Sequence, residues 1–264
     1  MTGADKHDIH SLKRYLDYQE TPQYRAFRDK ENPGSAACNF AVIKSAENLG
    51  ATLAAIEAFY EGTSIVPRIS FGPDSIAPAQ CRDFLAHKGY GLCRREVCRM
   101  FLTAEPAAGY RVARCKTGPV DVRRSRAAAL LLIECCGGQE FGLRLIAKQL
   151  AHGARAYAAF DGEDVPVSLC VTEGYGRAAR ICVLYTAKEK RNRGYGAAVL
   201  EEALRALKAD VLGYEEIFLD IAGSNAAARL LYGAGFRGAV ATEYAACKGG
   251  TPLGWHYVLP GEAL

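Results

Sequence analysis

One glycine-rich segment of the chain contains several cationic residues, and this combination of residue types could bind an anion. The run Arg191-Asn192-Arg193-Gly194-Tyr195-Gly196 stands between a predicted strand and a predicted helix, and Lys188 and Lys190 precede it. Glycines permit close backbone approach and positive φ, and a helix N-terminus adds partial positive charge. The segment therefore predicts a diphosphate-binding loop, with an ordinary connecting turn as the alternative. It is neither a GxGxxG nor a GxxxxGK[ST] motif.

Alternating apolar patterns predict the elements that must position this loop. Apolar runs at 155–160 and 165–171 flank Asp161-Gly162-Glu163-Asp164, which is typical of a hairpin, and a run at 179–186 leads into the loop. Apolar residues at helical spacing from Val199 to Leu207 predict a helix directly after it. The elements expected further on are a strand at 217–221, a helix capped by Ser224 and ending near Tyr232, and closing strands at 239–246 and 255–259.

The first half of the chain repeats part of this order, which suggests a duplicated half-domain. A segment rich in Pro, Gly and Arg at 104–126 marks a boundary. We therefore predict an N-terminal domain at 1–108 and a C-terminal domain at 109–264, each of the α+β class with a mixed sheet. The elements expected in the first half are strands at 39–44, 66–71 and 95–102 and helices at 49–60 and 78–88.

Composition limits the classes of function. The chain has 264 residues and a net charge of only +4, which does not favour nucleic acid as a partner. The ten cysteines form no CxxC pair, so reduced, mostly buried thiols are expected rather than disulfides or a metal site. The polar N-terminus and the lack of a long apolar run predict a soluble, cytoplasmic protein that does not enter the membrane.

The predicted loop resembles motif A of the GNAT N-acetyltransferase superfamily. Residues 183–204 are similar to that motif, Arg/Gln-x-x-Gly-x-Gly/Ala, with Arg191, Gly194 and Gly196 at its defining positions. The corresponding segment of the first half, 46–50, lacks an arginine and has one glycine, so we interpret that half as a degenerate copy that does not bind CoA. The residues similar to motif B, N-x-x-A-x-x-L-Y-x-x-x-G-F, are Asn225, Ala228, Leu231, Tyr232, Gly235 and Phe236, with one residue fewer before Gly235.

The resemblance implies the GNAT fold, acetyl-CoA as the cosubstrate without a metal, and direct attack of a primary amine on the thioester. In such a site Tyr232 protonates the leaving thiolate, and the Leu184 N–H polarises the thioester carbonyl. The residues that the resemblance assigns to acetyl-CoA are Leu184, Tyr185 and Thr186 for the pantetheine arm, Arg191, Asn192, Arg193, Gly194, Tyr195 and Gly196 for the pyrophosphate, and Asn225 for the pantetheine.

Several points stay open at the level of the sequence. The attacking amine must lose a proton, and Arg180 stands where many family members have a glutamate, so Glu173 and His256 are the fallback proton acceptors. Arg94, Arg95 and Arg99 are expected on a solvated strand face.

We expect a monomer whose first half walls the acceptor pocket. The alternatives to an enzyme are an acetyl-CoA-binding sensor or pseudoenzyme without turnover, and a binding module for another anion.

Overall fold

The computed structural model describes residues 2–72, 74–107, 110–222, 228–249 and 255–258. In chain order the helices and strands are α1 (Gly3–Leu12), β1 (Asp17–Glu20), β2 (Tyr24–Arg28), β3 (Phe40–Ile43), α2 (Leu49–Tyr60), β4 (Arg68–Phe71), α3 (Arg82–His87), β5 (Tyr90–Leu102), β6 (Thr117–Pro119), α4 (Arg126–Cys135), α5 (Glu140–Ala151), β7 (Arg155–Phe160), β8 (Pro166–Tyr175), β9 (Ala178–Thr186), α6 (Tyr195–Lys208), β10 (Glu216–Ala222), α7 (Ala228–Gly233), β11 (Phe236–Lys248) and β12 (His256–Tyr257).

The chain divides into two compact units, each assembled from two stretches. The N-terminal unit consists of Leu12–Val97 and Val240–Leu264, and the C-terminal unit consists of Thr2–Ser11 and Cys98–Ala239. All but the last residue of the first helix therefore belongs to the C-terminal unit, whereas residues 240–248 of β11 belong to the N-terminal unit. The domain boundary predicted after residue 108 stays a prediction.

The N-terminal unit contains the predicted strand–helix–strand order. Strands β1, β2 and β3 pair antiparallel in sequence, and β3 then pairs parallel with β4 at Ala41 and Ile69. Leu53 and Ile56 of α2 are buried in one core cluster with Ile43 and Ile69 of these strands. The helix predicted at 49–60 is confirmed, whereas the sequence analysis missed β1 and β2.

The C-terminal unit is a sheet with helices on both faces. Its strands follow the order β10-β9-β8-β7-β6, antiparallel from β6 to β9 and parallel between β9 and β10. Successive side chains of a strand point to opposite faces. Accordingly, Leu169 of β8 is buried with α4 and α5, whereas Cys170 is buried with α6 and α7. The predicted hairpin and the helix after the loop are both present.

Strands β9 and β10 diverge along their length. The two strands pair at three positions, Glu216 with Ala178, Ile217 with Ala179 and Phe218 with Arg180. Over the described residues of both strands the register has no pair beyond Arg180, although β9 continues to Thr186 and β10 to Ala222. An opening therefore separates the carboxyl ends of two parallel strands, immediately before the predicted loop.

Helix α1 is held on the C-terminal unit by charged side chains. Asp8 forms ion pairs with Arg99 at 2.6 Å and with Arg180 at 3.2 Å, and Asp220 pairs with the same two arginines. At the other end of the helix, the Glu216 carboxylate accepts hydrogen bonds from the amides of its first turn. The prediction that Arg99 lies on a solvated strand face is therefore wrong, because its partners come from α1 and β10.

Candidate active site

The end of β9 presents backbone groups to the opening. Ala187 N–H donates to the Val167 carbonyl at 2.9 Å, so this residue faces β8. Because backbone groups alternate between the two sides of a strand, those of Leu184 and Thr186 are directed away from β8, toward the side where β10 diverges. The Leu184 side chain is half-buried against the α6 core. This arrangement lets the Leu184 N–H polarise a carbonyl that enters between the strands.

The N-terminus of α6 is an open amide cradle. Gly194 adopts φ 85°, and its carbonyl accepts from Ala198 N–H at 3.0 Å and from Ala113 N–H at 3.2 Å. Within the described ranges no acceptor is bonded to the amides of Tyr195, Gly196 and Ala197, the first three of the helix. A 14-residue helix whose first amides are unsatisfied is suited to an anion.

The cations of the loop are not equivalent. Lys190 pairs with Asp161 of the hairpin turn at 2.9 Å, which raises the pKa of this lysine. Arg191 donates from Nε to the Thr186 carbonyl at 3.1 Å, and its guanidinium lies 5.4 Å from the centre of the Tyr185 ring. Lys188 and Arg193 are exposed, and no described carboxylate pairs with them. The loop therefore has fewer available cations than the sequence suggests.

Helix α7 positions Tyr232 on the α6 side of the sheet. Leu231 is fully buried beside Phe236, which anchors the helix, whereas the Tyr232 side chain is 44% exposed. Its backbone carbonyl accepts from Arg237 Nη1 at 2.9 Å. Residues Ser224 and Asn225, predicted as the helix cap and as a pantetheine contact, lie outside the described residues.

The fallback proton acceptors occupy different surroundings. Glu173 lies on β8 with 1% exposure, and its Oε2 accepts from Gln149 Nε2 at 3.2 Å. His256 is an exposed residue of β12, in the N-terminal unit. Arg180 is engaged by Asp8 and Asp220. Glu173 is therefore enclosed within the C-terminal unit, whereas His256 is on the surface of the N-terminal unit.

A carboxylate that the sequence analysis missed lies beside β9. Glu134, at the end of α4, accepts a hydrogen bond from the Tyr185 hydroxyl at 3.3 Å. The pKa of Tyr185 is raised by burial and by the charge of Glu134. Tyr185 precedes the strand end on the face covered by α4 and α5. No sequence signal connects the two residues, which are 51 positions apart.

The described residues also bear on the other sequence predictions. All ten cysteines are free thiols, and burial raises the pKa of several, including Cys135 to about 11 and Cys182 to about 12. Among the described side chains no group of three or more metal-ligating residues is assembled. In the part of the chain that the structure describes, no helix combines the length and apolar composition of a membrane span.

Comparison with known proteins identifies relatives of this fold. The model of the Acetyltransferase (GNAT) family matches residues 136–236, which include the strands and the loop described above. No curated protein matches the chain. A GCN5-related N-acetyltransferase from Kribbella flavida is similar in structure, with a TM-score of 0.67 and 13% identity over 94% of this chain and 95% of that chain.

Two further solved structures are similar over most of the chain. A GCN5-related N-acetyltransferase from Sphaerobacter thermophilus has a TM-score of 0.56 and 13% identity, over 97% of this chain and 87% of that chain. A tandem GNAT protein from the clavulanic acid biosynthesis pathway has a TM-score of 0.54 and 14% identity, over 93% and 88%. The fold-class prediction is confirmed: a mixed α/β sheet with helices, similar to GNAT proteins that include a tandem member.

Proposed function

We propose that the chain is a GNAT acetyltransferase, because residues 136–236 match the model of that family, and that it transfers an acetyl group from acetyl-CoA to a primary amine of a small molecule or peptide. The observation that carries the proposal is the opening between β9 and β10 together with the open amide cradle at the start of α6. A linear thioester bearing a diphosphate matches both features, since its arm fits between diverging strands and its phosphates fit a helix N-terminus.

Each part of the cosubstrate has an assigned partner in this proposal. The pantetheine arm runs along the backbone of Leu184, Tyr185 and Thr186, extending β9 on the side where β10 diverges. Residues 191–196 hold the pyrophosphate, chiefly through the amides of the first turn of α6. The Leu184 N–H donates to the thioester oxygen as negative charge develops on it, which stabilises the tetrahedral intermediate.

The proton donor and the proton acceptor come from opposite faces of the sheet. Tyr232 lies on the α7 side, where its hydroxyl gives a proton to the thiolate as the C–S bond breaks. The amine approaches from the α4 side, where its nitrogen forms the new C–N bond and loses a proton. Glu134, bonded to the Tyr185 hydroxyl on that side, accepts this proton. The protein acts as a monomer.

The test is thiol release from acetyl-CoA across a panel of primary amines: amino acids, polyamines, aminoglycosides and peptides with a free N-terminus or lysine. We expect release that depends on one class of amine. Tyr232→Phe removes the proton donor, so kcat falls by roughly 10²-fold or more while the dissociation constant of acetyl-CoA is retained. Tyr18→Phe, at an exposed tyrosine of the N-terminal unit, is the matched control and leaves both values unchanged.

Two outcomes would count against the proposal. If acetyl-CoA binds and no amine accelerates thiol release above hydrolysis, the protein is a sensor without turnover. If acetyl-CoA produces no thermal shift, the amide cradle holds another anion and the acetyltransferase proposal is wrong.

A further inference from the structure

A strap of chain crosses from α7 to the start of α6 within the C-terminal unit. We use this name for the described residues 103–107 and 110–116, which connect β5 with β6. Ala107 N–H donates to the Gly233 carbonyl at 2.8 Å at the end of α7, and Ala113 N–H donates to the Gly194 carbonyl at 3.2 Å. The strap therefore contacts the loop that we assign to the pyrophosphate.

Close packing fixes the strap in this position. A Cβ atom on Gly194 would lie 2.7 Å from the Ala113 nitrogen, and one on Gly233 would lie 2.8 Å from Cδ2 of Tyr110. Val112 and Ala113 are half-buried and pack against the core that contains α6. The path of this segment is thus set by contacts to both helices.

Two arginines of the strap remain on the outside. Arg111 and Arg114 are exposed, and no described carboxylate pairs with either. Consecutive Cα atoms are about 3.8 Å apart, so both arginines start within roughly 7.6 Å of the Ala113 Cα. Two arginines without a described carboxylate partner therefore have their backbone next to the amide that is hydrogen-bonded to Gly194 of the loop.

The charges of acetyl-CoA exceed what the loop supplies. The molecule carries a diphosphate and, on its ribose, a separate 3′-phosphate monoester with a charge of about −1.5 to −2 at pH 7. The amide cradle matches the diphosphate. Of the loop cations, Lys190 is neutralised by Asp161, and Arg191 is turned back to the Thr186 carbonyl. The exposed Lys188 and Arg193 match the diphosphate, with one cation for each of its two phosphates. A monoester beyond the diphosphate needs cations from outside the loop.

We propose that Arg111 and Arg114 form a subsite for the 3′-phosphate of acetyl-CoA. This inference rests on the proposed function, because it assigns a second part of the same cosubstrate. Arginine suits the role, since its planar guanidinium binds phosphate oxygens in a bidentate manner. The subsite makes the strap a specificity element that distinguishes acetyl-CoA from its analogue without the 3′-phosphate.

The experiment compares the dissociation constants of acetyl-CoA and 3′-dephospho-acetyl-CoA by calorimetry on the full chain. The wild type is expected to bind acetyl-CoA at least about tenfold more tightly. In the double variant R111A/R114A the affinity for acetyl-CoA falls about tenfold, whereas the affinity for the dephospho analogue changes less than about twofold. The matched control, R123A/R124A, also removes two exposed arginines but changes neither value, since these residues precede α4 on the other face of the sheet.

The outcomes separate this inference from the proposed function. Equal affinity of the wild type for both ligands, or an equal loss for both in R111A/R114A, would overturn the subsite and leave the proposed function standing. Failure of the wild type to bind either ligand would overturn both. The charge-retaining variant R111K/R114K should bind acetyl-CoA with an affinity between those of the wild type and R111A/R114A; an affinity no better than that of R111A/R114A, in a protein with an unchanged melting temperature, contradicts the subsite.

Discussion

At the residue scale, Gly194 meets two requirements that exclude other residue types. Its φ of 85° lies in the left-handed region, and a Cβ atom there would stand 2.7 Å from the Ala113 nitrogen. Neither requirement involves a ligand. The motif glycine that suggests phosphate binding in the sequence therefore also holds the strap against the start of α6.

Substitution of Gly194 should lower the stability of the fold through both the backbone conformation and the contact with the strap. An L-residue in the left-handed region loses roughly 1–2 kcal/mol, and the backbone contact adds to this because the strap cannot approach as closely. Gly194→Ala should therefore lower the free energy of unfolding by more than Gly213→Ala. Gly213 has a φ of 57° and no atom within 4 Å of the added carbon, so its variant reports the conformational cost alone. Urea unfolding of both variants measures the difference, and equal losses would contradict the role of the strap contact.

The residue types of the loop could be read from the sequence, but their partners could not. Arg191, Gly194 and Gly196 are close in the chain, so their spacing alone points to an anion site. The pair of Lys190 with Asp161 and the pair of Tyr185 with Glu134 join residues from different elements. Such pairs depend on how strands and helices pack, and a single sequence contains no signal for that.

At the element scale, helix α1 is held in the C-terminal unit by ion pairs of its charged side chains. Burial raises the pKa of Asp8, but the charge of Arg180, a hydrogen bond with His7 and the charge of Arg99 outweigh this effect and hold the value at about 2. The ionised carboxylate is therefore favoured in the folded protein. Because Arg99 also pairs with Asp5 and Asp220, the helix closes a network of alternating charges over β9 and β10.

The contribution of Asp8 should depend on pH. Its folded pKa of about 2 lies below the ordinary value of 3.8 for an aspartate, so the stabilisation is complete above about pH 4 and is lost as the pH falls toward 2. At pH 7, Asp8→Asn should cost about 2 kcal/mol, and the gap between variant and wild type should narrow near pH 2.5. Urea unfolding at both pH values measures this. Asp83→Asn, at a side chain that is 90% exposed, is the control, and a gap independent of pH would contradict the assignment.

Hydrophobic periodicity explains which elements the sequence could predict. The hairpin of β7 and β8 and the helix α6 bury apolar residues at regular spacing, and both were found close to their observed bounds. The buried residues of α1 are Ala4, His7 and Ser11, which form no apolar stripe. Strand β2 buries Arg25, which bonds to Glu20 and Asp74, between two buried apolar residues, so its sequence does not show the expected alternation. Hydrophobic periodicity therefore does not predict elements that are held in place by ion pairs.

At the scale of the whole molecule, the two units contain the same order of elements with different helix N-termini. The series β3-α2-β4-α3-β5 repeats as β9-α6-β10-α7-β11, and in both units a parallel strand pair brackets the first helix. In α2 the side chain of Asn48 accepts from Ala51 N–H, so the first turn caps itself. No side chain caps α6 at Gly194. This difference supports the hypothesis that the N-terminal copy is degenerate.

The difference between the two helix N-termini predicts one acetyl-CoA site per chain. Calorimetry with the wild type should give a stoichiometry of one, because the first turn of α6 has no side-chain cap, whereas in α2 the Asn48 side chain occupies the Ala51 N–H. Gly196→Asp places a negative charge in that cradle and should abolish binding. Gly50→Asp makes the same change in the first turn of α2, where nothing lies within 4 Å of the added carbon, and should leave one site with unchanged affinity. A stoichiometry of two, or a loss of binding in Gly50→Asp with an unchanged melting temperature, would show that the N-terminal copy still takes part in binding.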